Sequence, residues 1–426
     1  MVKLIKSFTE NPRVKQLGPG LITGAADDDP SGIATYSQAG AQFGFNMLWT
    51  VVFTYPLMVG IQMVSARLGF ITGKGLAANV KSVFPRPVLF GIVGLLLVAN
   101  TINIAADIAA MGEALRLLLG GNAHLYSVCF GVLCLILQVY LRYESYVRYL
   151  KWLTLALLSY VAVIFTIHVH WVTVAREMVL PHLSLNHDTI TMIVAVFGTT
   201  ISPYLFFWQA AQEMEDLRAP GRNGGVVMLP HTSDEARRQM RRIRWDTYVG
   251  MGFSNLIAFF IILSTAATLH SAGTVDIQTS AQAAEALRPL GGPTAFLLFS
   301  LGIIGTGMLA VPVLAGSAAY AVAESLDWQS GMDRKLPEAL GFYGIIGIAT
   351  IGGVALTFTH LDPVRALVWA AEINGIIAVP IMAVMMLLAS RADVMGAFVI
   401  RPRLRRLGWA ATGVMAATVV AMVSTS

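Results

Sequence analysis

The chain has 426 residues, 56% of them hydrophobic and only 12% charged, with a mean hydropathy of +0.68. Soluble domains carry about a quarter charged residues, so this composition excludes an ordinary soluble protein and points to a single polytopic membrane domain over 1–426. The net charge of +5 does not indicate nucleic acid, because the basic residues lie between apolar runs, where they orient a membrane protein.

Residues 1–16 are polar and hold no apolar stretch of signal-peptide length, so no cleaved leader is expected. A bilayer core of ~30 Å needs about 20 apolar residues per helix. That template predicts an all-α protein with eleven spans, at approximately 18–44, 46–71, 87–119, 125–141, 146–170, 190–212, 245–269, 292–325, 338–358, 364–389 and 406–423. The longest connection, 213–244, is rich in both arginine and acid and reads as a solvated cytoplasmic loop with a short amphipathic helix. With the N-terminus inside, all lysines and arginines except Arg116, Arg176, Arg288 and Arg365 fall on the inner side. The positive-inside rule therefore predicts an N-in, C-out protein of the plasma (inner) membrane. Seven of the eight histidines then sit at outer ends or loops, and none is at bilayer depth. Cys129 and Cys134, five apart in one apolar segment, suit neither a zinc pair nor a disulfide framework and read as core.

Two spans carry breakers at mid-depth. In the first, Asp27-Asp28-Asp29-Pro30-Ser31-Gly32 interrupts an apolar run; in the sixth, Gly198-Thr199-Thr200-Ile201-Ser202-Pro203-Tyr204 does so. Proline frees the carbonyl four residues earlier, so Pro203 points at Thr199. Broken backbone at that depth is tolerated only where it is buried or lines a cavity. The chain thus divides into inverted repeats of five helices, at about 18–170 and 190–389, plus an extra helix at 406–423. Interrupted helices at matching places in two inverted repeats point to a transporter's midplane site.

Intramembrane acids cost at least ~2.5–3.5 kcal/mol on insertion scales and are functional candidates by default. They are Asp27, Asp28, Asp29, Asp107 and Glu372. Asp29 stands at the break and is the first candidate ligand. Asp27 and Asp28 either join it or face an aqueous vestibule, Asp107 either serves the site or pairs with a neighbouring helix, and Glu372 precedes a loosening glycine and reaches the same cavity. Adding the hydroxyls of Ser31, Thr199 and Ser202 gives an all-oxygen set, which suits Mg²⁺, Ca²⁺ or hydrated Mn²⁺ over softer ions. No His-Glu-x-x-His, Gly-x-Ser-x-Gly or Cys-His constellation supplies a base or nucleophile, so no enzyme and no resident cofactor are expected. A sodium-coupled symporter of organic solutes would need an apolar site rather than one ringed by acids.

Gly-Pro-Gly at 18–20, Asp29-Pro30, Ala-Gly-Ala-Gln-Phe-Gly at 39–44, Ile-Thr-Gly-Lys-Gly-Leu at 71–76 and Ala-Asp-Ile-Ala at 106–109 resemble the Nramp divalent-metal transporters over most of the chain. Ordinary members carry Asp-Pro-Gly-Asn in the first span and Ala-x-x-Met-Pro-His in the sixth. Here Asp29 keeps the aspartate, while Gly32, Thr199, Ser202 and Tyr204 replace asparagine, alanine, methionine and histidine. These departures, and the stretch from Ser202 to Glu213, are similar to the prokaryotic Nramp-related magnesium transporters. The resemblance implies the amino-acid/cation symporter fold, alternating access and a metal site between spans one and six, with Asp28, Asp29, Gly32, Thr199, Ser202 and Glu372 around it. Losing the soft thioether at Ser202 removes discrimination against hard ions. Gly32 in place of an amide predicts a wider cavity for a partly hydrated Mg²⁺. The family's acids along span three align with Asn100, Asp107 and Ala110, and its histidine with Tyr204, so proton coupling is not expected. The expected partners are Mg²⁺ and Mn²⁺ as cargo and the lipid bilayer, with a monomer favoured. The alternative is a proton-coupled Mn²⁺/Fe²⁺ transporter of the ordinary kind.

Overall fold

The computed structural model describes residues 23–24, 26–140, 154–182, 184, 186–218, 233–359 and 362–425. Among these, every regular element is helical. In chain order the principal helices are α1 (Pro30–Phe43), α2 (Leu48–Thr72), α3 (Leu76–Val83), α4 (Arg86–Leu119), α5 (Ala123–Tyr140), α6 (Leu158–Ile164) and α7 (Trp171–Val179). They continue with α8 (His187–Thr200), α9 (Pro203–Arg218), α10 (Ser233–Thr265), α11 (Gly292–Ser325), α12 (Leu340–Leu356), α13 (Pro363–Ala389) and α14 (Pro402–Ser424).

Eight helical stretches among the described residues are long and apolar enough to cross a membrane. One of these, Pro30–Thr72, is divided into α1 and α2 by a turn at Gly44–Met47, where Gly44 takes φ +60°. The shorter apolar helix α12, 17 residues or about 26 Å at 1.5 Å per residue, fills the expected place at 338–358. The expected span 146–170 lies partly outside the described residues, and its described part contains α6. At one end of α2, Arg244 and Arg401 come within electrostatic reach of Arg67 and make an arginine-rich pole; at its other end the His270 ring packs against Gly44.

The sequence sets the helix ends. Asp29 N-caps α1 by accepting from the Gly32 N–H, with Pro30 at the first turn. Asn186 caps α8, and Asp362 followed by Pro363 opens α13. The core runs along α4, which packs against α5, α11, α12 and α13. Several helix contacts are too close for any side chain, and two of them border the broken span six. A Cβ at Gly69 of α2 would strike the Ala210 carbonyl of α9, and one at Gly198 of α8 would strike the Ala371 carbonyl and Gly375 of α13. The first contact is reinforced by Ser65 Oγ donating to the Phe206 carbonyl at 2.5 Å and Gln62 donating to the Leu205 carbonyl at 3.0 Å.

Two expectations are corrected. The stretch 213–244 is not a solvated loop throughout, because α9 continues to Arg218 and α10 begins at Ser233, a dozen residues before the expected span. Residues 219–232 lie outside the described residues. One pair folds inward, Arg242 donating to Glu213 at 2.7 Å and to Asp216 at 2.9 Å with the Glu213 side chain fully buried, while Arg237, Arg238, Arg241 and Arg244 stay exposed. A charge is placed there because its partner arrives from the neighbouring helix. The cysteines also part company, since Cys134 is buried and Cys129 exposed.

Candidate functional site

The two helix breaks meet. The helical turn around Ala26 and Asp27 ends at Asp28–Asp29, and α1 starts at Pro30. Opposite, α8 ends at Thr200, Ile201 and Ser202 are non-helical, and α9 starts at Pro203. Tyr204, in the first turn of α9, donates its hydroxyl to the Ala26 carbonyl at 3.0 Å and lies 3.3 Å from Asp29 Oδ2. Asp29 Oδ1 accepts from the Gly32 N–H at 2.7 Å. Asp29, Thr199, Ser202 and Tyr204 are each at most 2% exposed, so their oxygens converge in a water-poor interior.

The local chemistry explains the arrangement. Pro203 removes the donor that would have taken the Thr199 carbonyl. The Ser202 hydroxyl fills that role, donating to the Thr199 carbonyl at 2.8 Å and approaching that of Gly198 at 3.0 Å. Ser202 therefore offers a ligand only its remaining oxygen lone pairs. Tyr36 and Thr200 hydroxyls meet at 3.1 Å just beyond.

Gly32 does not open a wider cavity in this conformation. A Cβ there would sit 3.1 Å from Thr199 Oγ1 and 3.4 Å from both Asp29 Oδ1 and Tyr36. The threonine that replaces the family's alanine has moved into the room that the glycine vacates.

Asp27 and Asp28 do not face an aqueous vestibule. Both are buried, and both turn to α10, where the single Ser254 hydroxyl lies 2.6 Å from Asp27 Oδ2 and 3.0 Å from Asp28 Oδ1. One hydroxyl carries one hydrogen, so the two carboxylates share a donor that serves one at a time. Asp28 is thus held beside the break by Ser254 rather than by Thr199.

On α4, Asp107 is fully buried within electrostatic reach of Asp29 and beside the Ser31 N–H. Ser31 itself donates its hydroxyl to the Leu367 carbonyl of α13 at 2.7 Å. Asn100 is anchored on α11 through the Leu314 carbonyl and Ser317. Ala110 lines a small apolar cavity with Ile33, Ser37 and Leu367. Glu372 stands apart from this group. It lines a separate cleft of about 310 Å³ with Gln38, His187, Asp188, Asp276 and Arg365, and no hydrogen bond or ion pair among the described residues links it to Asp29.

A scan for charge misses the Ala26 carbonyl, which accepts from Tyr204, and Ser254, which contacts the aspartates, as well as two buried amides elsewhere in the core, Asn103 and Asn374. The amides are neutral residues in apolar runs, yet both are buried with side-chain atoms that take no hydrogen bond. A polar amide in a membrane segment was the available signal.

Among the described residues no group of three or more His, Cys, Asp or Glu side chains is arranged to hold a metal ion. What converges on Asp29 is a set of neutral oxygens, with Asp27 and Asp28 beside it on Ser254 and Asp107 flanking it from α4.

Similarity to known proteins extends over nearly the whole chain. The family model described as natural resistance-associated macrophage protein-like matches residues 20–425. A divalent metal cation transporter MntH of Burkholderia ambifaria is 25% identical over 414 residues, covering 94% of this chain and 86% of that protein. The MntH of Deinococcus radiodurans is 27% identical over 402 residues, covering 92% and 86%. Both are named as metal cation transporters, not as enzymes. The manganese transporter of Eremococcus coleocola, solved with an aromatic bis-isothiourea substituted compound, superposes with a TM-score of 0.76 at 18% identity, covering 96% of this chain and 86% of that one. Mhp1, a nucleobase-cation-symport-1 family transporter in a closed conformation, gives 0.58 at 14% identity, covering 96% and 92%. At these identities the structural likenesses speak for the fold.

Proposed function

The chain belongs to the Nramp family, and from that premise we propose that it transports divalent metal ions by alternating access, carrying Mg²⁺ and Mn²⁺ into the cytoplasm. The observation that carries this reading is the meeting of two broken helices around Asp29, with the oxygens of Thr199, Ser202, Tyr204 and Ala26 about it. Hard oxygen donors favour Mg²⁺ and Mn²⁺, and the serine at position 202 offers no thioether for softer ions. In this reading the ion is held by Asp29 with the Thr199 carbonyl and hydroxyl, and Gly32 lets Thr199 approach. Asp28 waits on Ser254, and Glu372 gathers cations in its cleft. The arginine-rich pole faces the cytoplasm by the positive-inside rule. Residues 18–170 and 190–389 act as the inverted repeats, and the protein works as a monomer in the plasma membrane.

Transport runs down the metal's own gradient and the membrane potential, worth ~4.6 kcal/mol for a divalent ion at 100 mV. The alternative, proton-coupled Mn²⁺ or Fe²⁺ transport, draws on one observation: Asp107 remains as a buried acid beside Asp29.

The experiment is uptake of Mg²⁺ and Mn²⁺ by proteoliposomes of the full chain. Each ion should saturate and inhibit the other, and Asp29→Ala should reduce both by about a hundredfold or more, since it removes the carboxylate on which the neutral oxygens converge. Mn²⁺ uptake that ignores a large excess of Mg²⁺ refutes the magnesium assignment. Near-normal uptake by Asp29→Ala refutes the site.

A further inference from the structure

On the face of α4 that looks at α11, Asn100, Asn103 and Asp107 stand at i, i+3 and i+7, and none is more than 1% exposed. Asn100 is tied down, its Nδ2 donating to the Leu314 carbonyl at 2.8 Å and to Ser317 Oγ at 2.7 Å. The other two are not. Neither amide atom of Asn103 takes a hydrogen bond, nor does Asn100 Oδ1, and the Asp107 carboxylate is served by nothing but the edge of the Ser31 N–H. Across from them, Pro312 inside α11 removes the donor for the Met308 carbonyl, adding one more acceptor to the same wall. Native interiors leave few such groups unserved. Where buried polar atoms cluster away from the helix ladders, ordered waters serve them, each making about three hydrogen bonds.

The cluster adjoins the break. A Cβ at Gly307 of α11 would lie 2.7 Å from Met111 Sδ of α4 and 3.3 Å from Pro30, so the start of α1 is wedged between α4 and α11 one turn beyond Asp107. Asp107 consequently flanks Asp29 and Ser31, and Asn103 follows it one turn toward the arginine-rich pole.

We propose that Asn103 and Asp107 form an outer-shell site for the transported cation: they hold waters that stay on the ion while it sits at Asp29, so that it passes partly hydrated. A metal-bound water donates both hydrogens, and Asn103 Oδ1 with the two Asp107 oxygens presents acceptors for them. The site rests on Asp29 as the metal ligand, and it deepens that reading by naming what the far side of the ion touches. Mg²⁺ gives up waters reluctantly, so it depends on such a shelf more than Mn²⁺ does.

The test compares wild type, Asn103→Leu and Asn103→Asp as full-length protein in liposomes, with Mg²⁺ and Mn²⁺ uptake measured separately. Asn103→Leu, with the same branched heavy-atom frame but no polar atoms, should raise KM about tenfold for Mg²⁺ and about threefold for Mn²⁺, with maximal rates within about twofold. Asn103→Asp keeps the shape and the acceptor oxygen and should raise neither. Unchanged KM values in Asn103→Leu, an equal rise for both ions, or a raised KM in Asn103→Asp overturns the proposal; if Asn103→Leu does not fold, the smaller Asn103→Ala takes its place with the same expected outcome. A wild type that takes up Mn²⁺ but not Mg²⁺ refutes the magnesium reading instead, and the effect of Asn103→Leu on Mn²⁺ KM still decides this one.

Discussion

The hydroxyl of Tyr204 donates to the carbonyl of Ala26 at 3.0 Å, a bond that joins the two helix breaks across 178 positions of sequence. It satisfies a carbonyl that the end of the first half-helix leaves without a partner and sets the phenol against Asp29. Replacing the residue with phenylalanine removes the tie while keeping the ring that fills the core. Tyr204→Phe should lower the maximal uptake rate several-fold and change KM by no more than about threefold, because Asp29 keeps its Gly32 donor and its charge. Uptake kinetics in liposomes check this. A KM shift above about tenfold would make the hydroxyl a direct ligand and contradict the assignment.

Gly32 and Thr199 are packed as a pair. Restoring the family's asparagine at position 32 places a Cβ 3.1 Å from Thr199 Oγ1, with the rest of the amide beyond it. Overpacking of this kind costs about 1–3 kcal/mol. Gly32→Asn should therefore lower both melting temperature and uptake, and Thr199→Ala in the same chain should recover much of the loss. Thr199→Ala by itself should be mild, since the residue's carbonyl is retained. A double variant no better than Gly32→Asn alone would show that the threonine is not what the asparagine meets.

At the arginine-rich pole, Arg242 holds α10 to α9 through Glu213 and Asp216, and Gln209 adds a bond to Glu213 at 3.2 Å. Breaking a buried pair from one side costs about 3–5 kcal/mol because the remaining charge is stranded. Arg242→Met should thus lower the melting temperature markedly. Combining it with Glu213→Gln should be less destabilising than Arg242→Met alone. Equal melting temperatures for Arg242→Met and wild type would mean that the ion pair contributes nothing to the fold.

Proton movement is the fourth point. The span-three positions hold Asn100 and Ala110, neither of which titrates, and Tyr204 with a reference pKa of ~10 is a poor carrier near neutrality. One carboxylate, Asp107, does not make a relay. Proteoliposomes with an internal pH dye and an inside-negative potential should show metal uptake without acidification. Acidification in step with metal uptake would restore the proton-coupled alternative.

Much of this architecture was legible because hydropathy and breakers act locally. Asp29-Pro30 and Ser202-Pro203 announce their breaks, since proline both removes a donor and starts a helix. Burial of Glu213 was not legible. Its partner Arg242 stands 29 positions away in a stretch whose composition reads as solvent-exposed, and only tertiary packing decides that the pair goes inside. The same holds for Asp27 and Asp28. Their charge is visible in the sequence, but Ser254, which turns them toward α10, is one serine among many. Gly32 shows the opposite error, in which a missing side chain suggested empty space. The neighbour that fills it, Thr199, was itself counted as a separate substitution.

The close approaches at Gly69 and Gly198 divide the molecule mechanically. At Gly69 the backbone of α2 lies on that of α9, tied further by Ser65 and Gln62, and at Gly198 the backbone of α8 lies on that of α13, so neither pair has room to repack at those points. The chain crosses from one pair to the other at Ile201–Ser202 and nowhere else in span six. In the proposed transport cycle that crossing would be the fulcrum: a tilt of one pair against the other would change the distance between Thr199 and Tyr204 before it disturbed either backbone contact.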